Sequence, residues 1–352
     1  MRDDLRALEG YHSPQVHVRV RLNTNESPFP PPSAWRDAFA AELSRVEWHR
    51  YPDRAATALR EGIAELHGVR PEQVFAANGS NEVLQTLLLA YAGPGRTVAT
   101  FEPTYQLHGH IARLTGATVA EGERADDFTL DLDEVRRVLT TTLPTVTFLC
   151  SPNNPTGLVE PEANVRAVLS LVQDQGDSLL VVDEAYGQFA NWSAMGLVHD
   201  DTPMVVSRTF SKTWSMAGSR LGYLVGPAWL VDDLEKVVLP YHLDVAKQIA
   251  GRLALTFAPE MEDRVKLVVA ERERLSTAMS SMPVDVFPSG ANFILFRPRT
   301  LTGKQVWQAL LDRSVLIRDC SGWPRLGGCL RVTIGTPAEN DEFLTALSEV
   351  LA

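Results

Sequence analysis

One lysine in this chain stands where an amine could act as a nucleophile. Lys212 lies in the stretch Ser207–Tyr223, directly after the apolar residues Met204–Val206, which are typical of a buried strand end. Burial favours the neutral amine, which can attack a carbonyl. Ser211 and Arg220 could hydrogen-bond a dianionic group held alongside. The combination suits pyridoxal phosphate, with the amine on its aldehyde and these donors on its phosphate. An ordinary surface lysine is the alternative.

A carboxylate at the end of a second apolar run fits the same cofactor. Ser178–Tyr186 contains the β-branched pattern of a buried parallel strand, and Asp183 stands at its end. A carboxylate against the pyridine nitrogen keeps that nitrogen protonated, so the ring draws electrons from the substrate. Tyr186 could hydrogen-bond the phenolic oxygen of the cofactor. Asp183 as a helix N-cap is the alternative.

A third strand-like run, Val74–Ala77, leads through Gly79 into a helix start. Backbone N–H groups of Ser80 and Asn81 would lie at the positive end of that helix, where phosphate binds well. A side-chain capping box at the same residues is the alternative, and both can hold together.

Two further segments offer contacts to a flat ring. Tyr105 follows the strand Thr97–Phe101 and could stack on such a ring, although aromatic residues there are also common in cores. Asn153 lies in Ser151–Gly157, where prolines exclude a regular element and would hold its amide rigidly. Plain turn chemistry remains open for that segment.

Three more residues are candidates on weaker grounds. Arg318 and Arg331 stand in strand-like runs, and buried arginines are rare without an anion, so each could clamp a carboxylate or phosphate. A salt bridge of Arg318 with Asp319 is the alternative. Tyr51 precedes a proline that fixes its backbone, which would help it reach across an interface. The alternative is that Tyr51 only fills space in the core or on the surface.

Composition excludes several classes of function. The chain has 352 residues, 45% hydrophobic and 22% charged, as in ordinary globular enzymes. Its formal charge of -11 argues against nucleic acid or an anionic membrane as a partner. No apolar run approaches a membrane span, and the first residues carry no apolar signal core. Three scattered cysteines show neither metal-ligand spacing nor an even disulfide set, so a cytoplasmic location is expected.

The order of elements predicts an α/β fold. Strands alternate with helices from about residue 74 to 226, which indicates a mostly parallel sheet flanked by helices. The remainder is typical of a smaller α+β domain. We expect an N-terminal arm over 1–32, a large domain over 33–255 and a small domain over 256–352. The candidate residues follow strands, where ligands bind in such sheets.

Taken together, these motifs resemble the fold-type-I pyridoxal-phosphate aminotransferases over nearly the whole chain. The stretches that carry this resemblance are Asn78–Glu82, Pro103–Tyr105, Ser151–Gly157, Asp183–Tyr186, Ser211–Lys212 and Arg331–Gly335. Within that class, Leu22–Glu26, Arg50–Asp53 and Arg331–Thr336 resemble the histidinol-phosphate aminotransferases. Tyr11, Pro14–Gln15 and Leu239–Leu243 are similar to the actinobacterial branch of that family.

The resemblance implies roles around the cofactor. Lys212 would bond to the cofactor aldehyde and shuttle a proton, Asp183 would pair with the pyridine nitrogen, and Tyr105 would stack on the ring. Tyr186 and Asn153 would bond the ring oxygen. The residues implied at the phosphate are Ser80, Asn81, Ser211, Arg220 and, from the other subunit of a homodimer, Tyr51.

The resemblance also implies a substrate pocket. Arg331 would take the glutamate carboxylate in one half-reaction and the substrate phosphate in the other, with Arg318 nearby. Tyr11, Asn81 and Tyr241 are the residues implied at the imidazole and phosphate end. The expected reaction exchanges the amino group between histidinol phosphate and 2-oxoglutarate.

Two departures from the family pattern bear on substrate preference. Ser27 stands where asparagine usually follows the Asn-Glu pair, and Cys320–Gly328 is a longer and more aromatic loop than the branch usually has. Aromatic amino-acid aminotransferases therefore remain a rival, as does the threonine-phosphate decarboxylase of cobamide synthesis. A pyridoxal-phosphate-binding regulator is a third alternative, against which the acidic charge and the lack of a DNA-binding extension weigh.

Overall fold

The fold is described from a computed structural model, which covers residues 1, 5–6 and 16–352. In this part of the chain the strands are β1 (Val20–Leu22), β2 (Val74–Ala77), β3 (Thr97–Glu102), β4 (Thr118–Glu123), β5 (Val146–Cys150), β6 (Leu179–Asp183), β7 (Met204–Thr209), β8 (Gly222–Val225), β9 (Val284–Val286), β10 (Phe293–Pro298), β11 (Val315–Asp319) and β12 (Leu330–Thr333). The helices are α1 (Ser33–Leu43), α2 (Thr57–His67), α3 (Ser80–Tyr91), α4 (Leu107–Thr115), α5 (Leu132–Thr142), α6 (Glu162–Asp174), α7 (Ala228–Val237), α8 (Val245–Leu255), α9 (Ala258–Ser280), α10 (Gly303–Asp312) and α11 (Pro337–Leu351).

The larger of the two sheets has the strand order β2-β8-β7-β6-β5-β3-β4 in the described residues. The pairs from β4 through β7 are all parallel, whereas β8 runs antiparallel to both of its neighbours. The expected mostly parallel α/β sheet is therefore confirmed. Because parallel strands share one direction, the carboxyl ends of β5, β6 and β7 meet at one edge, with Cys150 beside Asp183 and Asp183 beside Ser207.

Both faces of this sheet are buried, which explains why its central strands are continuous apolar runs. Every residue of β5, β6 and β7 is buried. Successive side chains point to opposite faces, so Val181 and Val205 pack in one apolar cluster and Val182 and Val206 in another. Helices cover each face. The rigid central strands thus fix the residues at their ends.

The smaller sheet has the strand order β1-β11-β12-β10-β9 in the same described residues. Its core gathers Phe293 and Phe296 of β10, Val332 of β12 and Phe343 of α11. Strand β1 pairs in parallel with β11, with Val20 opposite Val315. The sequence did not predict β1, because three residues are too few to show an alternating pattern. The expected boundaries of arm, large and small domains stay a prediction.

The segment that follows β1 crosses from the smaller sheet to the edge of the larger one. The Asn25 N–H donates to Thr333 Oγ1 (2.9 Å), and its side-chain amide donates to the Tyr186 hydroxyl (2.9 Å). Asn25 has a left-handed backbone (φ 55°), a conformation that asparagine tolerates. The proline-rich stretch up to α1 holds no helix or strand, as expected. Among the described residues, no helix is long and apolar enough to cross a membrane.

Candidate active site

A cavity of about 330 Å³ opens at the carboxyl ends of β5, β6 and β7. Most of the residues predicted from the sequence to hold a cofactor line it. These are Ser80, Asn81, Tyr105, Asp183, Tyr186, Ser211, Lys212 and Arg220. Residues separated by up to 140 positions in the chain are thus brought to one site, because the strands and helices that carry them share one edge of the sheet.

Lys212 follows β7 by three residues and lies in the cavity wall. Its Nζ donates to the Thr24 carbonyl oxygen (3.0 Å) and lies 5.7 Å from the centre of the Tyr186 ring. The pKa of this amine is lowered from 10.5 to about 7, mainly by burial and also by the nearby charges of Arg331 and Arg220, against the opposing effect of Glu26. A large fraction of Lys212 is therefore a neutral nucleophile at neutral pH.

Asp183 ends β6 and is buried. Its Oδ1 accepts hydrogen bonds from the Ala185 N–H (3.0 Å) and the Ser207 hydroxyl (3.3 Å). Its Oδ2 lies 2.9 Å from Nε2 of His108. The bond to Ala185 closes a local turn, and the next helical residues are only the short 3₁₀ turn Gly187–Phe189, so Asp183 does not cap an α-helix.

His108 was not singled out by the sequence reasoning. It lies in the first turn of α4 and is fully buried, with its ring stacked on Phe148 at 4.4 Å and edge-on to Tyr105 at 5.3 Å. Because a carboxylate only accepts, Nε2 carries the proton and donates to Asp183. The available signal was its position three residues after Tyr105, at a helix start that follows β3, and the His108 N–H donates to the Tyr105 carbonyl oxygen (3.0 Å).

The start of α3 forms an anion cradle. Its N-cap is Gly79 (φ 84°), and no side chain caps the helix, so the N–H groups of Ser80 and Asn81 form an uncapped first turn. Arg220 Nη1 donates to Ser211 Oγ (3.1 Å) on the opposite side. A Cβ atom at Gly79 would lie 2.8 Å from Nη2 of Arg220, and the φ of 84° is a conformation that strains other residues, so glycine suits this position.

The structure corrects the prediction for Asn153. This residue is fully buried inside its loop and does not line the cavity; its amide donates to the Pro103 carbonyl oxygen (2.9 Å) and to Thr156 Oγ1 (2.8 Å). Its Oδ1 accepts from Thr104 Oγ1 (2.9 Å). The neighbouring Asn154 lines the cavity instead. Sequence reasoning chose the wrong member of the pair, because the path of an irregular loop decides which side chain faces inward.

Two tyrosines form adjoining parts of the wall. The hydroxyl of Tyr186 accepts from Asn25, and burial raises its pKa to about 12, so it stays protonated and can donate. Its ring packs edge-on against Phe293 at 5.0 Å. The Tyr105 hydroxyl lies 3.5 Å from Oδ1 of Asn81. Both rings therefore border the space beside Lys212.

A second cavity of about 120 Å³ continues from the first and shares Thr24, Tyr105, Asn154, Tyr186 and Lys212 with it. Its wall also includes residues from the smaller sheet and its loop, namely Arg318, Trp323 and Arg331. The site is thus built between the two sheets.

The two arginines of this second cavity are direct neighbours. Arg318 of β11 lies opposite Arg331 of β12 in the antiparallel register. Arg331 is buried and donates to Oδ1 of Asn154 (2.5 Å) and to the Asn23 carbonyl oxygen (3.0 Å), which are neutral groups. Its Nε is buried and has no hydrogen-bond partner among the described residues. Like charges placed opposite each other destabilise a sheet, so this pair fits an anion.

Two predicted residues are not brought to the cavity, and a third is not described by the structure. Tyr51 is 80% exposed and stacks on Tyr241 with ring centres 4.5 Å apart. Tyr241 is also exposed, and neither residue lines the two cavities of its own chain. Tyr11 lies outside the described residues.

The cavity fits pyridoxal phosphate on its own geometry. It offers a neutral amine at Lys212, a buried carboxylate at Asp183 and a glycine-lined cradle of N–H, hydroxyl and guanidinium donors. The separate amine, carboxylate and anion sites match the aldehyde, the pyridine nitrogen and the phosphate of that molecule.

Residues 18–347 match the sequence profile of aminotransferase class I and II, and the chain belongs to that family. It is a pyridoxal-phosphate-dependent transaminase by class, as the sequence predicted. A histidinol-phosphate aminotransferase of Mycolicibacterium smegmatis is 46% identical, over 99% of this chain and 93% of the relative. The prediction of resemblance to that actinobacterial group is confirmed.

Solved structures agree with the fold. The histidinol-phosphate aminotransferase of Sinorhizobium meliloti in complex with pyridoxal-5'-phosphate has a TM-score of 0.86 at 22% identity, covering 95% of this chain and 91% of that one. L-threonine-O-3-phosphate decarboxylase of Porphyromonas gingivalis has a TM-score of 0.80 at 22% identity, covering 94% and 99%. Since both share the fold, the fold alone does not separate a transaminase from a decarboxylase.

Proposed function

We propose that this chain transfers the amino group between L-histidinol phosphate and 2-oxoglutarate in histidine biosynthesis. The observation that carries the proposal is the pair Arg318 and Arg331 in the wall of a cavity that Lys212 also lines. An amino donor with an anionic end would place its amine near Lys212 and its charge near these arginines. The names of the full-length relatives support the same substrate.

In this proposal the two anionic substrates use one clamp in turn. The guanidinium of Arg331 presents a planar fork of donors that suits both a carboxylate and a phosphate. Glutamate and histidinol phosphate therefore bind alternately. Asn154 orients Arg331 through the bond at 2.5 Å and so helps to place each substrate relative to Lys212.

The residues around the cofactor then have separate tasks. Pyridoxal phosphate, when bound, supplies a ring that withdraws electrons from the substrate's α-carbon. Asp183 keeps the ring nitrogen protonated, and His108 holds Asp183 in place. Ser80, Asn81, Ser211 and Arg220 hold the phosphate, Tyr186 and Asn154 bond the ring oxygen, and Tyr105 stacks on the ring.

Lys212 moves the proton. With its pKa near 7, part of the amine is neutral at neutral pH and can take a proton from the substrate's α-carbon, and the protonated amine can then donate it. The Thr24 carbonyl and the Tyr186 ring keep its Nζ in the cavity between transfers.

We propose a homodimer in which Tyr51 completes the phosphate site of the partner subunit. Trp48, Tyr51, Leu239 and Tyr241 are large apolar residues that are all more than 40% exposed, a concentration that suits an interface. Tyr241 would then border the substrate of the partner subunit. A cytoplasmic location remains the proposal, on the ground of the three unbridged cysteines.

The half-reaction tests the substrate directly. The holoenzyme is mixed with L-histidinol phosphate, L-phenylalanine or L-glutamate without an acceptor, and conversion of the bound cofactor to its amine form is followed by absorbance. Fast conversion by histidinol phosphate and glutamate, with slow conversion by phenylalanine, is expected. Faster conversion by phenylalanine would favour the aromatic aminotransferases.

A second measurement separates the decarboxylase. L-threonine phosphate is added to the same holoenzyme, and carbon dioxide release is measured. A transaminase releases none and leaves its cofactor in the amine form, whereas carbon dioxide with the aldehyde form retained would contradict the proposal.

A further inference from the structure

The loop Cys320–Gly328 connects β11 to β12 and carries Trp323 to the second cavity. The Trp323 N–H donates to the Cys320 carbonyl oxygen (3.0 Å), and its own carbonyl oxygen accepts from the Leu326 N–H (3.2 Å). These two tight turns hold Trp323 in a defined position. The half-buried indole lines the cavity together with Arg318 and Arg331.

An apolar cluster around Leu326 also holds this loop in place. Leu326 is fully buried in a cluster with Phe128, Leu295, Cys320 and Cys329. Phe128 belongs to the segment after β4, and its ring also packs on Phe287 at 5.0 Å. The loop of the smaller sheet is thereby attached to a segment of the larger sheet.

A polar contact from Arg325 fixes the same two parts together. Its guanidinium donates to Oδ1 of Asp126 (2.7 Å) and to the Arg124 carbonyl oxygen, and it lies 3.7 Å from Glu123. Arg325 adopts a left-handed backbone (φ 62°), which costs a non-glycine residue conformational free energy. The strained backbone thus occurs at the residue whose side chain makes these contacts.

We infer that Trp323 selects amino donors that carry a flat unsaturated ring, and that Arg325 is a positioning residue that holds Trp323 in place for this task. The inference rests on the proposed transaminase function and deepens it. An indole gives a large, rigid apolar surface on which an imidazole or phenyl ring can stack. Glutamate has no ring, so its half-reaction gains nothing from Trp323.

The two half-reactions therefore provide an internal control. The kcat/KM of each donor is measured for the wild type, Trp323→Phe and Trp323→Ala. Trp323→Ala is expected to lower the ratio of histidinol phosphate to glutamate about tenfold, mainly through KM, and Trp323→Phe to lower it much less. Trp229→Ala, at a half-exposed tryptophan of α7, should leave the ratio unchanged. An unchanged ratio in Trp323→Ala, or an equal loss for both donors, would overturn the inference.

The positioning role has its own test. Arg325→Ala is expected to lower the same ratio about threefold, and Arg325→Lys to restore part of it, because a lysine can still reach Asp126. Arg299→Ala is the matched control, since Arg299 also pairs with an exposed carboxylate, Asp285, on the smaller sheet. A ratio in Arg325→Ala equal to that of the wild type would remove Arg325 from the inference.

A binding measurement keeps the inference separate from turnover and from the identity of the substrate. L-histidinol phosphate and L-phenylalanine are titrated into Lys212→Ala and Lys212→Ala/Trp323→Ala by calorimetry. We expect Kd to rise about tenfold in the double variant for whichever ring donor the wild type uses. If the wild type uses phenylalanine alone, histidinol phosphate is not the substrate, and the titration with phenylalanine still tests Trp323. An unchanged Kd would refute the role of Trp323.

Discussion

The imidazole Nε2 of His108 donates to Oδ2 of Asp183 across 2.9 Å inside a fully buried pair. The ring cannot turn freely, because it is stacked on Phe148. The other oxygen of Asp183 is held by the Ala185 N–H and the Ser207 hydroxyl. The carboxylate therefore has one orientation before any cofactor binds.

His108→Phe tests this arrangement, since it keeps the stacked ring and removes the donor. We expect kcat/KM to fall about 10- to 100-fold and the affinity for the cofactor to fall as well, because a hydrogen bond to a charged group is lost inside the protein. Steady-state kinetics and cofactor titration measure the two effects. His110→Phe on the same helix is the control, and equal losses in both variants would argue against a specific role.

Lys212→Ala should abolish turnover and covalent attachment of the cofactor while leaving the fold intact. The side chain makes one hydrogen bond, to Thr24, so its loss costs little structure. Absorbance of the bound cofactor and circular dichroism report on the two parts. Lys236→Ala, at an exposed lysine, should behave as the wild type. Turnover retained in Lys212→Ala would refute the assigned role.

Covalent attachment of the cofactor to the apoprotein should accelerate as the pH rises through about 7 and then level off. Burial lowers the pKa of Lys212 to about 7, so the neutral amine becomes the main form above that pH. Stopped-flow absorbance between pH 5.5 and 9 measures the rate. A midpoint near 10 would mean that Lys212 is not desolvated.

The same lowering of the Lys212 pKa also affects stability. The unfolded chain binds more protons than the folded chain between pH 7 and 10.5, so the contribution of this lysine makes the apoprotein more stable as the pH rises through that window.

His67 should make the protein sensitive to acid. Burial lowers its pKa from 6.5 to about 3, aided by the charge of Arg208, and its Nε2 lies 2.8 Å from the Tyr223 hydroxyl. The unfolded chain therefore binds more protons between pH 6.5 and 3, and the free energy of unfolding falls as pH falls through that range, by about 1 kcal/mol per pH unit from this group. Denaturant unfolding of His67→Gln should show a shallower decline. The same substitution at exposed His49 is the control, and an equal slope in the wild type and His67→Gln would contradict the expectation.

Mixing two inactive variants tests the proposed sharing of sites between subunits. Lys212→Ala and Tyr51→Ala are each purified, mixed, briefly unfolded and refolded together. If Tyr51 serves the partner's site, one site of each mixed dimer contains both native residues, and activity returns to about a quarter of the wild-type value. If Tyr51 serves its own chain, mixing restores nothing.

Much of the large sheet could be predicted, since Val181–Val182 and Val205–Val206 lie in continuous apolar runs that only a doubly covered sheet uses. The positions of Asp183 and Lys212 could be predicted as well, because these residues stand at the end of one such strand and just after the end of the other. The choice between Asn153 and Asn154 could not be predicted, because it depends on the path of an irregular loop. The contact of Arg325 with Asp126 joins residues 199 positions apart. It could not be predicted, because the sequence around either residue does not indicate which residue it contacts.

The hydrogen bond from Lys212 to Thr24 links the two sheets. Thr24 follows β1, a strand of the smaller sheet, whereas Lys212 follows β7 of the larger one. If Lys212 bonded to a cofactor aldehyde, its nitrogen would no longer donate to this carbonyl oxygen as it does here, and the N-terminal segment would lose one of its hydrogen bonds to the larger sheet. The bonding state of the Lys212 nitrogen would therefore set how many hydrogen bonds join the N-terminal segment to the larger sheet.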